Sequence, residues 1–128
     1  MKTSKQAKTF LSKRLQSFKY AFAGFKWLFR TETNARIHLT AALLVIIPGF
    51  FLQLSPFEWL WITLAITLVF MAELINSAIE YLADALHPGH HVKIGKAKDM
   101  AAAATLLAAI FAVLVGMIVF GSKLLACF

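Results

Sequence analysis

Acidic residues are scarce: the chain has six Asp and Glu against thirteen Lys and Arg, and charged residues of both signs make up only 15% of its 128 residues. Hydrophobic residues make up 60%, and the mean hydropathy is positive. That balance excludes an ordinary soluble domain, because a chain of this length could not hide so much apolar surface. It puts the chain in the membrane class, and one domain over residues 1–128 is expected. The single cysteine, Cys127, excludes an internal disulfide and leaves the redox compartment unread. No apolar stretch follows the early lysines closely enough for a secretory signal peptide, so none is expected. A phosphate-binding loop is also missing. The nearest approach, Gly89 to Gly95-Lys96, is one residue too long and has Ala97 where Ser or Thr should stand. His87, His90 and His91 cluster without a cysteine beside them, and a closed zinc site needs four ligands, so no metal role is assigned to them.

The positive charge is concentrated. Nine of the thirteen basic residues precede His38: Lys2, Lys5, Lys8, Lys13, Arg14, Lys19, Lys26, Arg30 and Arg36. Beside membrane spans, such an arm suits anionic lipid headgroups, and no nucleic-acid partner is expected. From Phe10 to Arg30, apolar residues recur at spacings of three and four (Leu11, Leu15, Phe18, Phe22, Phe25, Phe29), with the basic residues on other faces. This pattern predicts an amphipathic helix lying in the headgroup plane, with its connection covering about residues 8–35. Phe18, Phe22 and Phe25 are candidates for guiding a lipid towards a site, and Phe22 is singled out as a substrate-binding residue.

Three apolar segments follow, over residues 37–54, 57–86 and 100–121. Pro48-Gly49 falls inside the first, which membrane helices tolerate. The second runs without a breaker for about 45 Å, against a hydrocarbon core of about 30 Å. The third starts rich in alanine, permitting close helix contact. Between the second and third, "HPGHHVKIGKAKD" reads as a polar loop. The expected fold is an all-α membrane protein with an N-terminal amphipathic surface helix and three transmembrane helices. The basic arm and the loop with Lys93, Lys96 and Lys98 are both positive, whereas the turn "QLSPFE" has no basic residue. The N-terminus and the second loop are therefore expected in the cytoplasm, and the short turn and C-terminus outside, with Trp59 and Trp61 at the outer interface.

Counting inward from Phe57, about twenty residues cross the hydrocarbon, so Glu73 falls just inside the inner leaflet and Glu80 and Asp84 emerge beyond it. At about 100° per residue, Glu73, Asn76, Glu80 and Asp84 share one stripe, with Ser77 at its edge. Asp84 alone reads as well as a solvated helix end. Glu73 with Asn76 does not, because an intramembrane carboxylate is costly and by default marks function. Glu32, before the first span, and Lys98-Asp99, opening the third, belong to the same level. Two carboxylates can hold Mg²⁺ through hard oxygen ligands, with phosphates and water completing the shell. A further carboxylate in partly apolar surroundings suits a general base. A lysine meets phosphate as a point charge. These are parts for phosphoryl transfer to a lipid hydroxyl.

"AELINSAIEYLADAL", followed by "AKDMAAAA" at the head of the next span, resembles the prokaryotic diacylglycerol kinase family. "SFKYAFAGFKWLFRTETNARIHL" resembles its N-terminal part, closer to the branch that includes undecaprenol kinases. The resemblance covers about Ser17 to Phe120. It implies a homotrimer with active sites shared between subunits, transferring the γ-phosphate of ATP to diacylglycerol or undecaprenol with Mg²⁺ at the cytoplasmic face of the cell membrane. Such a reaction serves phospholipid or lipid-carrier recycling. By motif position, Glu73 resembles the catalytic base and Asn76 its hydrogen-bonding neighbour, both also near the lipid. Glu32 and Glu80 resemble the metal-binding carboxylates, and these two with Lys98 and Asp99 the nucleotide-binding set. The resemblance gives Asp84 no settled role. Where many relatives carry glycine, this chain reads "MAAAATLL", so that Ala102 to Ala104 are expected to narrow the room beside the nucleotide. A rival reading from another class is a small oligomeric ion-conducting or transport protein with the acidic stripe along its pathway. Such a pathway calls for polar residues through the outer half, where Phe57 to Ala72 offers Glu58, Thr63 and Thr67.

Overall fold

A single extended residue separates the chain's first two helices. The structure, a computed structural model, describes residues 2–128, with side chains from Thr3 onward. Helix α1 spans Lys2–Thr31, with Arg30 in its last turn, where a cation complements the exposed carbonyls. At Glu32 the backbone turns to φ −98°, ψ 114°, and helix α2 begins at once, over Thr33–Phe51. Glu32 is the N-terminal cap of α2, yet its side chain makes no capping hydrogen bond. Its carboxylate is thus half-buried at a helix junction, with no partner among the described residues.

The α2–α3 turn is tightly specified. Gln53 takes a left-handed conformation, φ 52°, which reverses the chain after α2. Ser55 caps α3 (Pro56–Leu86) in a reciprocal box: its hydroxyl accepts from the Glu58 amide at 3.2 Å, and the Glu58 carboxylate accepts from the Ser55 amide at 2.7 Å. Pro56 in the first helical turn has no amide hydrogen to leave unpaired. Trp59 then lies over Gly49, where an added Cβ would stand 2.9 Å from the indole. Only a residue without a side chain lets α2 and α3 approach so closely there.

Helix α4 covers Val92–Ala126, eight residues earlier than the alanine-rich span suggests. The stretch Val92 to Asp99, expected as loop, is helical. Its polarity marks exposure to water and does not end the helix. His91 caps it, Nδ1 accepting from the Lys93 amide at 3.2 Å. The true connection is thus the short piece from His87 to His91, where the rings of those two histidines meet edge to face.

Helices α3 and α4 form an antiparallel pair and carry most of the packing, and α2 leans on α3. Leu54, Ile62, Ala65, Val115 and Val119 form a small core beside the α2–α3 turn. Two ion pairs tie α3 to α4 in register: Glu58 with Lys123 at 3.2 Å, and Asp84 with Lys98 at 3.0 Å. They lie about 39 Å apart along α3, more than the roughly 30 Å of a hydrocarbon core, and so can bracket a bilayer. Three helices, α2, α3 and α4, are long and apolar enough to cross a membrane, and under a third of each span's most apolar stretch is buried within the chain. Their remaining apolar faces are left for lipid or other copies.

Candidate active site

The site is built where α1 ends, α2 begins and α3 passes both. The ring of Phe29 meets that of Phe70 edge to face at 5.7 Å, which brings the α1–α2 junction against α3 one turn from Glu73. Leu28 on α1 and Ala35 on α2 are buried nearby in sequence. The small Ala35, fully covered, lets α2 approach closely.

Glu73 is 3% exposed, an unusual state for a carboxylate unless it is paired. Its partner is His38 on α2: imidazole Nε2 stands 3.2 Å from Glu73 Oε1. Among the described residues this is its one polar partner. One turn further along α3, Asn76 Nδ2 donates to Glu80 Oε1 at 3.2 Å. The Asn76 carbonyl oxygen, Oδ1, and the Ser77 hydroxyl are buried and have no hydrogen-bond partner among the described residues. Buried polar atoms are rarely left so, and each calls for an explanation such as a ligand.

The other candidates are more open. Lys98 is held by Asp84, which gives that aspartate a partner the sequence did not reveal. Both side chains are substantially exposed, so the pair is weak and its ammonium can be drawn to an anion. Asp99 is exposed. Ala101 is buried, but Ala102 to Ala104 are exposed and so narrow no space within the single chain. Phe22, with Phe18 and Phe25, lies on an exposed apolar face of α1. The structure thus brings together Asn76 with Glu80 and Asp84 with Lys98. Among the described residues no three acidic, histidine or cysteine side chains form a metal cluster, so Glu32 and Glu80 do not belong to one within the chain.

A groove of about 460 Å³ runs between α2, α3 and α4 towards this site. Its walls are apolar, including Val45, Ile66, Val69, Ala112 and Met117, and His38 is among its lining residues. An ion pathway needs polar walls, whereas this groove suits a hydrocarbon chain.

The prokaryotic diacylglycerol kinase profile matches residues 19–120. The chain belongs to the prokaryotic diacylglycerol kinase family. It is similar to an undecaprenol kinase of Bacillus subtilis, at 38% identity over 121 residues, 94% of this chain and 98% of that protein. A diacylglycerol kinase of Synechocystis is 41% identical over 103 residues, 80% of this chain and 59% of the longer relative. A diacylglycerol kinase of Escherichia coli K12 is 32% identical over 95 residues, 74% of this chain and 78% of that protein. Membership makes the chain an enzyme, a lipid kinase.

For a kinase of this family, the residue that sequence reasoning missed is His38. A lone histidine in an apolar run has no period to betray it, and the contact with Glu73 exists only once α2 has packed on α3. Ser55 and Glu58, in contrast, stand at the spacing of a capping box and were readable as one.

Proposed function

We propose that this kinase transfers the γ-phosphate of ATP to the hydroxyl of a membrane lipid alcohol, at the cytoplasmic face of the cell membrane. The observation that carries the reading is a buried carboxylate, Glu73, beside two unpartnered buried polar atoms at the end of an apolar groove. The groove suits the lipid's chains, and Glu73 is the base at its polar end. Glu73 takes the hydroxyl proton as the lipid oxygen bonds to the γ-phosphorus, and ADP departs with the bridging oxygen. Asn76 holds Glu80, and its buried, unpartnered oxygen is left to accept from a substrate group.

The donor set fits Mg²⁺: Glu32 and Glu80 are hard oxygen donors, Glu32 is without a partner among the described residues, and phosphate oxygens and water would complete the shell. When bound, the ion neutralises charge on the phosphates. Lys98, released from Asp84, and Asp99 would contact the nucleotide. The basic arm and the lysines near α4's start favour the cytoplasmic side. The exposed apolar faces of the spans leave room for the homotrimer that the family resemblance implies, with one site shared between neighbours. The whole chain, 1–128, acts as a single kinase domain in this reading.

Of the two acceptors named among the relatives, undecaprenol is favoured, because the undecaprenol kinase of Bacillus subtilis matches over nearly its full length. The test is ATP-dependent phosphorylation of a panel of lipid alcohols by the purified protein in mixed micelles. Transfer to undecaprenol in preference to diacylglycerol is expected, and no transfer to any lipid alcohol would overturn the reading.

A further inference from the structure

His38 is 26% exposed at its side chain and lines the groove, while its Nε2 stands 3.2 Å from Oε1 of Glu73, whose side chain is 4% exposed. It therefore touches both the passage suited to a lipid and the buried acid at that passage's end. A buried carboxylate without a donor is costly, and among the described residues no other group donates to this one. The recorded contact engages Oε1 alone, leaving the second oxygen without a partner among the described residues.

We propose that His38 is a positioning residue for Glu73: in the tautomer that carries its proton on Nε2, the ring donates to one carboxylate oxygen and fixes it so that the other faces the incoming lipid hydroxyl. This rests on the reading of Glu73 as the base. Without the donor, the carboxylate samples other rotamers, and the fraction of bound complexes ready for proton transfer falls. The effect belongs to turnover, since ATP binds through other residues. A purely structural tie between α2 and α3 would instead lower stability and leave turnover per folded enzyme unchanged.

The experiment compares the full-length protein and its variants in mixed micelles with its lipid alcohol and ATP, measuring kcat, both KM values and the thermal midpoint. His38→Ala is expected to lower kcat on the order of ten- to a hundredfold, the range for a lost hydrogen bond to a charged group, with the KM for ATP unchanged. His38→Gln, which keeps an N–H donor at similar reach, should recover most of that loss. In the Glu73→Gln background, His38→Ala should cause no further loss, because a residue acting through Glu73 has nothing left to act on. If the Ala variant does not assemble, His38→Met, apolar and without a donor, replaces it in the same comparisons. Wild-type kcat in the donor-free variant would overturn the proposal. So would a Gln variant as impaired as Ala, or an undiminished further loss in the Glu73→Gln background. Should Glu73→Gln itself keep wild-type kcat, it is the base reading that fails. An inactive Glu73→Gln beside a fully active His38→Ala refutes the positioning role alone.

Discussion

Glu73→Gln separates the chemistry of the proposed base from its packing. Glu73 is 3% exposed, so a substitution that changed its volume would disturb α2 against α3. Glutamine keeps the volume, and its carbonyl oxygen can still accept from His38 Nε2, now 3.2 Å from the carboxylate. What is lost is the charge-assisted part of that hydrogen bond, on the order of 1 kcal/mol, small enough for the protein still to fold and assemble. Proton transfer is affected far more, because an amide cannot accept the hydroxyl proton. Loss of a general base usually costs about 10²–10⁴-fold, or about 2.7–5.4 kcal/mol of barrier. The assay is the initial rate of lipid phosphorylation at saturating ATP in mixed micelles, normalised to protein that elutes as the wild type does. kcat should fall by that factor while the KM for ATP stays within about twofold, since the nucleotide is held elsewhere. A well-assembled variant with kcat within about threefold of wild type would refute the base assignment.

Glu32→Ala and Glu80→Ala should each raise the Mg²⁺ concentration needed for half-maximal activity, because each removes a proposed oxygen ligand; an unchanged Mg²⁺ titration in both puts the ligands elsewhere. Phe22→Ser should raise the KM for lipid more than that for ATP, and more for a long isoprenoid than for a short-chain alcohol, which has less apolar surface to guide. A shift in the ATP constant alone would assign that face of α1 to the nucleotide side. Gly49→Ala should lower stability by about 1 kcal/mol, since the new methyl meets the Trp59 ring and Leu54 at 2.9 and 3.0 Å and the stiff ring must move; a thermal midpoint equal to wild type would show that Trp59 yields freely.

Much of this architecture is legible in the sequence because the bilayer imposes it. Long apolar runs become helices there because no water can satisfy an open backbone, and the span expected over 57–86 is one helix, Pro56–Leu86, because nothing within it breaks the pattern. Where the reading fell short, composition stood in for geometry. Val92 to Asp99 is polar and was expected to be loop, but polarity reports solvent, and a helix that has left the membrane continues if something caps it. His91 does so. The Asp84–Lys98 pair was hidden for a related reason: the two residues meet only because α4 begins early enough to bring Lys98 level with the end of α3.

Apart from the motifs shared with the family, function was legible in the residues where cost gave it away. Carboxylates on a membrane helix are costly enough that Glu73 with Asn76 announced a site before any contact was known. His38 carries no such penalty, since a half-exposed imidazole is tolerable in many settings, and it became meaningful only through the acid it touches. The same reasoning bears on Asn76 and Ser77. Each was placed on or beside the acidic stripe by helical spacing, but spacing cannot say that Asn76 Oδ1 and the Ser77 hydroxyl would be buried without a partner. A single chain that leaves two such atoms unsatisfied beside a buried carboxylate, while Glu32 at the α1–α2 junction has no partner among the described residues, does not complete its own polar network. In the proposed reaction the missing partners are the lipid headgroup, the phosphates with their metal, and groups from a neighbouring copy. The atoms left unpaired in the isolated chain are then the ones the working enzyme has reason to keep unpaired until its substrates arrive.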